Sequence, residues 1–338
     1  MIDLLVVGGG PAGLATAIHA VRAGLDVAVA EPRETPVDKA CGEGLMPTAV
    51  GRLRTLGVEP AGRPFAGIRY VAGRRCVDAA FRDGPGLGVR RTGLHAALAR
   101  RAGDLGVEVR DARVTDLRQH ADHVRVGGVD ARYVVAADGL HSTVRRLLGL
   151  DPAPVRAPRY GLRRHFDVAP WSRHVEVHWS PRAEAYVTPL ADSLVGVALL
   201  TGDRGSFAQQ LQRFPALAQR LPDAGGDDGV RGAGPLRQHV RTRVAGRVLL
   251  VGDAAGYVDA LTGEGIAVAL AGAEAAVGCI RHDRVQDYEH AWRRASRTYR
   301  LLTGSLLWAR NRPVLAPRIV PAAERLPWLF SAAVNALA

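Results

Sequence analysis

The stretch that most restricts this chain is Gly8-x-Gly10-x-x-Gly13, which follows the apolar run Leu4-Leu5-Val6-Val7 without a polar residue between them. A continuously apolar run is a strand buried on both faces, and the glycines after it predict a tight turn. Pro11 and Ala12 then open a helix whose apolar face spans residues 14–21, Gly24 ends it, and a second strand follows over residues 26–30. In this β-α-β unit the missing side chains let backbone amides approach a diphosphate, and the helix N-terminus attracts its negative charge. Glu31 ends the second strand, 18 residues after Gly13. A carboxylate there accepts hydrogen bonds from a ribose and repels a 2'-phosphate. Arg33, two residues on, is counted with the cofactor contacts. A glycine triplet alone also makes an ordinary turn; strand, helix and acid in register favour the dinucleotide.

The rest of the chain supplies the partners this unit needs. A helix is expected over residues 92–106, a strand over 107–110, and a small meander returning through Val134, Val135 and Ala136. Residues 159–200 change to period-two runs broken by Pro and Asp, which predicts a mostly antiparallel sheet. A buried strand returns at 247–251 and an Ala-rich helix at 265–280. The expected architecture is therefore α/β: a discontinuous Rossmann-like nucleotide domain of residues 1–60, 88–150 and 240–290. Residues 61–87 and 151–239 form an antiparallel-sheet substrate domain, and 291–338 a C-terminal helical segment. Residues 224–234, rich in Gly and Asp, are expected to be a mobile loop.

A net charge of +12 with a pI of about 10.6 invites a nucleic-acid reading. Yet the basic residues are spread along the chain, and of 45 all but Lys39 are arginine, a bias that no phosphate surface requires. No nucleic-acid partner is expected. Cys41, Cys76 and Cys279 form no CxxC pair, and the 11 histidines show no ligand spacing, so neither a disulfide framework nor a metal site is expected. Met1 leads straight into a strand, and no apolar window is long enough to span a membrane, so a cytoplasmic protein is expected. The segment after Tyr288 is basic and aromatic. It could dock on the parent domain, touch a membrane surface peripherally, or cap a lipophilic substrate.

Two further motifs follow the first: Ala137-Asp138-Gly139-Leu140-His141-Ser142-Thr143-Val144-Arg145 and Gly252-Asp253-Ala254-Ala255-Gly256-Tyr257. In this order the three resemble the flavoprotein group that includes para-hydroxybenzoate hydroxylase, geranylgeranyl reductases and flavin-dependent halogenases, over about residues 1–300. The resemblance implies FAD on a glutathione-reductase-type fold. Asp253, after Gly252, would bond the ribitol, and Asp138 with Gly139 would lie near the diphosphate and the approach of a pyridine nucleotide. Arg91 would reach the cofactor, and the backbone at Val114 would meet the adenine. Each Asp-Gly is also an ordinary turn, and Arg91 also reads as a solvated residue at a helix start.

Gly263, Glu264, Gly265 and Ile266 open the Ala-rich helix, where free amides can stabilise negative charge on the N1 and O2 side of a flavin. Gly256 and Asp259-Ala260 depart from the hydroxylase pattern toward that of the geranylgeranyl reductases. Lys39-Ala40-Cys41-Gly42-Glu43-Gly44-Leu45-Met46 resembles the Cys-Gly-x-Gly segment that lies near the flavin in reductase-like members. Lys39, Cys41 and Gly42 are assigned to the cofactor, with Lys39, Cys41 and Glu43 as catalytic candidates. Leu45, Met46, Tyr186, Thr188 and Pro189 are assigned to substrate, Tyr186 and Thr188 sharing one strand face. The Trp-x-Trp-x-Ile-Pro signature of the halogenases is absent.

The resemblance implies an FAD-dependent monooxygenase with NAD(P)H as a transient reductant and O2 as co-substrate, hydroxylating a lipophilic aromatic or polyketide-type small molecule. Two alternatives stand beside it: a geranylgeranyl-reductase-like enzyme reducing carbon-carbon double bonds, and a prenyl-lipid or protein carrier without redox work.

Overall fold

The computed structural model describes residues 1–151, 157–222 and 229–338. The strand Ile2–Val7 sits at the centre of an eight-stranded sheet, paired in parallel with Val27–Ala30 on one side and Val129–Ala136 on the other. Val129–Ala136 in turn pairs in parallel with Val248–Leu250, and Val27–Ala30 with Glu108–Arg110. The register sets Val7 opposite both Ala30 and Ala136, and Ala136 opposite Leu250. Four strands therefore end on one edge, and the residues that follow them, Gly8, Glu31, Ala137 and Val251, are brought together although they are spread over nearly three quarters of the chain. In an open parallel sheet the ligand crevice forms at that edge. Helices Pro11–Arg22 and Gly265–Arg281 pack together over this sheet, and both are rich in small buried residues, Ala15, Ala17, Ala269 and Ala273 among them.

A second, seven-stranded sheet runs in the order Arg231–Ala233, Tyr160–Phe166, Leu194–Thr201, Ala183–Ala191, Val175–Trp179, Gly67–Ala72, Arg75–Ala80. It is antiparallel except for the pairing of Val175–Trp179 with Gly67–Ala72. Three short strands, Gly44–Leu45, Gly86–Gly88 and Arg63–Phe65, form a third sheet. The mobile loop expected at 224–234 is corrected in part: Arg231–Ala233 is an edge strand paired with Tyr160–Phe166, because its extended backbone completes that ladder. Residues 224–228 of that expectation lie outside the described residues.

Helix Tyr288–Ala295 returns to the first sheet, with the Tyr288 hydroxyl donating to Leu250 O at 2.9 Å and Trp292 buried in the main core. Helix Arg297–Arg310 ends where Arg310 meets the fully buried Glu184 of the second sheet. Helices Ile319–Arg325 and Pro327–Asn335 lie along Arg75–Ala80.

Candidate functional site

The first turn is shaped by steric necessity. Gly8 has φ +103°, and a Cβ there would lie 2.6 Å from Ala137 O; at Gly13 it would lie 1.8 Å from Gly8 O. Neither position tolerates a side chain. Gly10 differs, since its missing Cβ faces open space with only Arg91 Nη2 at 4.0 Å. Helix Pro11–Arg22 starts there with no side-chain cap, so its first amides are free to meet a ligand. His95 at 2.9 Å from Gly9 O steadies the turn.

Glu31 is buried, and its Oε2 accepts the Gly9 amide at 2.8 Å. Arg33 fills the rest of the carboxylate, donating through Nε and Nη2 at 2.7 Å each and through its own amide at 3.1 Å. Burial alone would raise this acid, but the Arg33 and Gly9 hydrogen bonds outweigh it and hold the carboxyl below its ordinary value. All four acceptor sites of Glu31 are thus occupied. A ribose hydroxyl reaches it only by displacing Arg33, whose side chain is 43% exposed.

Arg91 is not a solvated helix-start residue. It is 6% exposed, begins helix Arg91–Asp104, and leaves Nη1 buried without a partner. Asp138 gives Oδ2 to the Val144 amide at 3.1 Å and leaves Oδ1 buried and unpartnered. Lys39 reaches over the adjoining turn, its Nζ 3.1 Å from where a Gly139 Cβ would stand. Burial, then the nearby Arg33, lowers the Lys39 ammonium from its ordinary value. Burial raises the Asp253 carboxyl above its ordinary value, a shift that Lys39, Arg91 and Arg145 only partly oppose. Arg145, whose role the motif did not disclose, staples the two aspartate turns: it donates to Leu140 O at 2.8 Å and Ala254 O at 3.2 Å. Val114 is buried in the main core.

The Cys41–Gly44 loop is held from three sides. Glu43, at φ +60° and 3% exposed, accepts the Arg91 amide on Oε1 at 2.7 Å and meets His165 Nε2 on Oε2 at 2.6 Å. Arg163 Nη1 lies 3.1 Å from His165 Nδ1, and a guanidinium only donates. His165 therefore accepts at Nδ1 and carries its proton on Nε2, aimed at Glu43. Thr188 Oγ1 donates to Gly42 O, and Tyr186 OH to Leu261 O, both at 2.7 Å. Tyr186 and Thr188 thus clamp the two loops that flank the crevice, a role that strand alternation could not show. Burial pushes the Cys41 thiol up, which disfavours the thiolate a nucleophile needs. Leu45 packs into the main core and Met46 against Phe65 and Phe330 in a separate cluster, while Pro189 ends the regular register of its strand.

Glu264 precedes helix Gly265–Arg281, with Gly263 at φ +76° before it. It is 4% exposed, its Oε1 has no partner, and burial pushes its carboxyl to about 8. At neutral pH this acid holds its proton.

The open face at Gly10 stands beside Arg91 and Lys39 leans on the Gly139 turn, while Lys39 and Arg91 both act on Asp253, so these groups gather at the carboxyl edge of a parallel sheet, beside an uncapped helix. Arg91 Nη1 and Asp138 Oδ1 are left buried without partners there. A dinucleotide with an anionic diphosphate and hydrogen-bonding ring fits these groups. Fold and site together define a dinucleotide-binding protein. The chain belongs to the FAD_binding_3 family, the FAD binding domain, which matches residues 1–277.

Among its relatives is a menaquinone reductase of Mycolicibacterium smegmatis, 31% identical over 331 residues, covering 86% of this chain and 79% of that protein. Digeranylgeranylglycerophospholipid reductase 2 of Methanopyrus kandleri is 30% identical over 307 residues, covering 79% and 74%. The flavin-dependent brominase Bmp2 superposes with a TM-score of 0.84 at 17% identity, covering 99% of this chain and 93% of that one, a likeness of fold. The protein is an FAD-dependent oxidoreductase.

Proposed function

We propose that the protein reduces a carbon-carbon double bond in a polyprenyl-bearing lipid, with NAD(P)H as the passing source of electrons. The observation that carries this reading is that relatives matched over about four fifths of the chain bear the names of reductases of a menaquinone and of digeranylgeranylglycerophospholipids. The turn after Asp253 supports it, since Gly256 and Asp259-Ala260 stand where the hydroxylase pattern has other residues.

FAD, when bound, supplies the hydride chemistry. The residues of this chain do the rest. The amides after Gly10, with Arg91 and Lys39, bind and neutralise the diphosphate. Asp253 orients the sugar chain, Asp138 stands near the diphosphate, and Glu264 holds a proton at Oε beside the first turn of its helix. The Glu43 and Thr188 tethers fix the Cys41–Gly44 loop as one wall of the crevice and keep water from it.

The test is anaerobic incubation of the reduced protein with menaquinone and geranylgeranyl lipids, followed by mass spectrometry. A product heavier by two hydrogens, formed without oxygen, is the expected result. A product carrying one added oxygen, formed only in air, replaces this reading with hydroxylation; no turnover by a protein that stays yellow favours a carrier.

A further inference from the structure

Of the ten large hydrophobic side chains exposed among the described residues, six lie between 301 and 329: Leu301, Trp308, Val314, Leu326, Trp328 and Leu329. Three of these belong to the single tetrapeptide Leu326-Pro327-Trp328-Leu329, where Trp328 is 67% exposed, Leu329 50% and Leu326 44%. The tip is a built feature and not a frayed end. Pro327 starts helix Pro327–Asn335, and Phe330 turns inward with its ring 4.5 Å from that of Tyr70. Tyr70 in turn meets Trp179 at 5.1 Å, so the helix is anchored on the second sheet. Asn335 fastens its far end by accepting the Arg82 amide at 2.9 Å and donating to Ala80 O at 3.0 Å.

The charge along the segment that carries this tip is almost all of one sign. Arg312, Arg318 and Arg325 are exposed, and Glu324, the only acidic side chain between 311 and 338, is ion-paired with Arg75. Arg312 also lies 5.0 Å from the Trp308 ring. Tryptophan and leucine held outward in a segment whose three exposed arginines have no ion pair among the described residues match the boundary of an anionic bilayer. There the indole settles at headgroup depth, the leucines reach the acyl chains and the guanidiniums meet lipid phosphates. A symmetric second copy is a poorer occupant, because a two-fold contact would bring the same arginines face to face. Nucleic acid would leave the leucines unsatisfied.

We infer that the Leu326–Leu329 tip and its arginine rim form a docking element that seats the protein on an anionic membrane surface. The seat brings the second sheet, on which the tip's helix is anchored, to the bilayer interface. The inference stands on this surface and not on the reaction proposed above, and its test involves no turnover.

The FAD-loaded protein is floated with vesicles of phosphatidylcholine alone and of phosphatidylcholine with phosphatidylglycerol. Binding is expected only to the anionic vesicles, falling by about fivefold for each rim arginine changed to glutamine and weakening as salt rises. Trp328→Ala with Leu329→Ala should weaken binding by at least about tenfold. Its flavin spectrum and melting temperature should match the parent, since both side chains lie outside the core. Absence of binding to either vesicle, or binding indifferent to the double substitution, overturns the inference. So does a dimer in light scattering that the double substitution abolishes, which would assign the tip to a second copy.

Discussion

Replacing Glu264 by glutamine should abolish a pH dependence of stability that this buried acid imposes on the apoprotein. Its carboxyl is 4% exposed, and burial moves it from 4.5 to about 8. Between those two values the unfolded chain releases the proton while the folded protein keeps it. The folded state then binds more protons than the unfolded one, so stability is complete below 4.5 and falls as pH rises, by about 1.4 kcal/mol per unit. The whole window is worth about 5 kcal/mol, or roughly 10 °C in melting temperature for a chain of this size. Glutamine has the same shape and stays neutral. The two proteins should therefore melt alike near pH 5, diverge steadily toward pH 8 and hold a constant difference above it, with Glu264→Gln the more stable. Asp259, raised by burial to about 6, tilts both curves in the same direction and cancels in the difference. The assay is thermal unfolding of the two apoproteins at matched ionic strength from about pH 5 to 9. Parallel curves would refute the reasoning, because they would mean that Glu264 is solvated or ionised in the folded state.

The two glycines of the first motif should separate folding from binding. Gly10→Ala, whose Cβ meets nothing nearer than 4.0 Å, is expected to fold yet hold FAD on the order of 100-fold more weakly, read by flavin fluorescence titration. Gly13→Ala drives a Cβ against Gly8 O and should cost about 1–3 kcal/mol of stability as well as the yellow colour, read by chemical unfolding and absorbance. His165→Ala leaves the buried Glu43 carboxylate short of a donor and should cost about 2–3 kcal/mol in urea unfolding, with His165→Gln recovering part of it. Cys41 should be alkylated more slowly than the exposed Cys76 near pH 8, as mass mapping will show, because burial keeps its thiol protonated.

Much of the nucleotide fold could be read from residue order because its signals are local. Leu4 to Val7, the three glycines, Pro11 and Gly24 each state a backbone preference within a few residues, and together they define one β-α-β unit. The acid at 31 and the Asp138-Gly139 and Gly252-Asp253 turns were legible for the same reason, each standing at the end of a strand-like run. Arg91 was legible as a position but not as a buried cation, since burial depends on what packs above it.

What no local pattern contains is which strand ends meet and what a side chain finds there. Parallel pairing at Val7, Ala30, Ala136 and Leu250 alone carries Gly8, Glu31, Asp138 and Asp253 to one edge. Only the packing of the second sheet against the Cys41–Gly44 loop turns Thr188 into a clamp and gives Glu43 to His165, 122 residues away in sequence. The order of residues thus determined the cradle, because steric and capping preferences act at short range. Tertiary structure decided the polar network around it, because the strength and occupancy of a buried hydrogen bond depend on neighbours that the chain brings together only once it has folded.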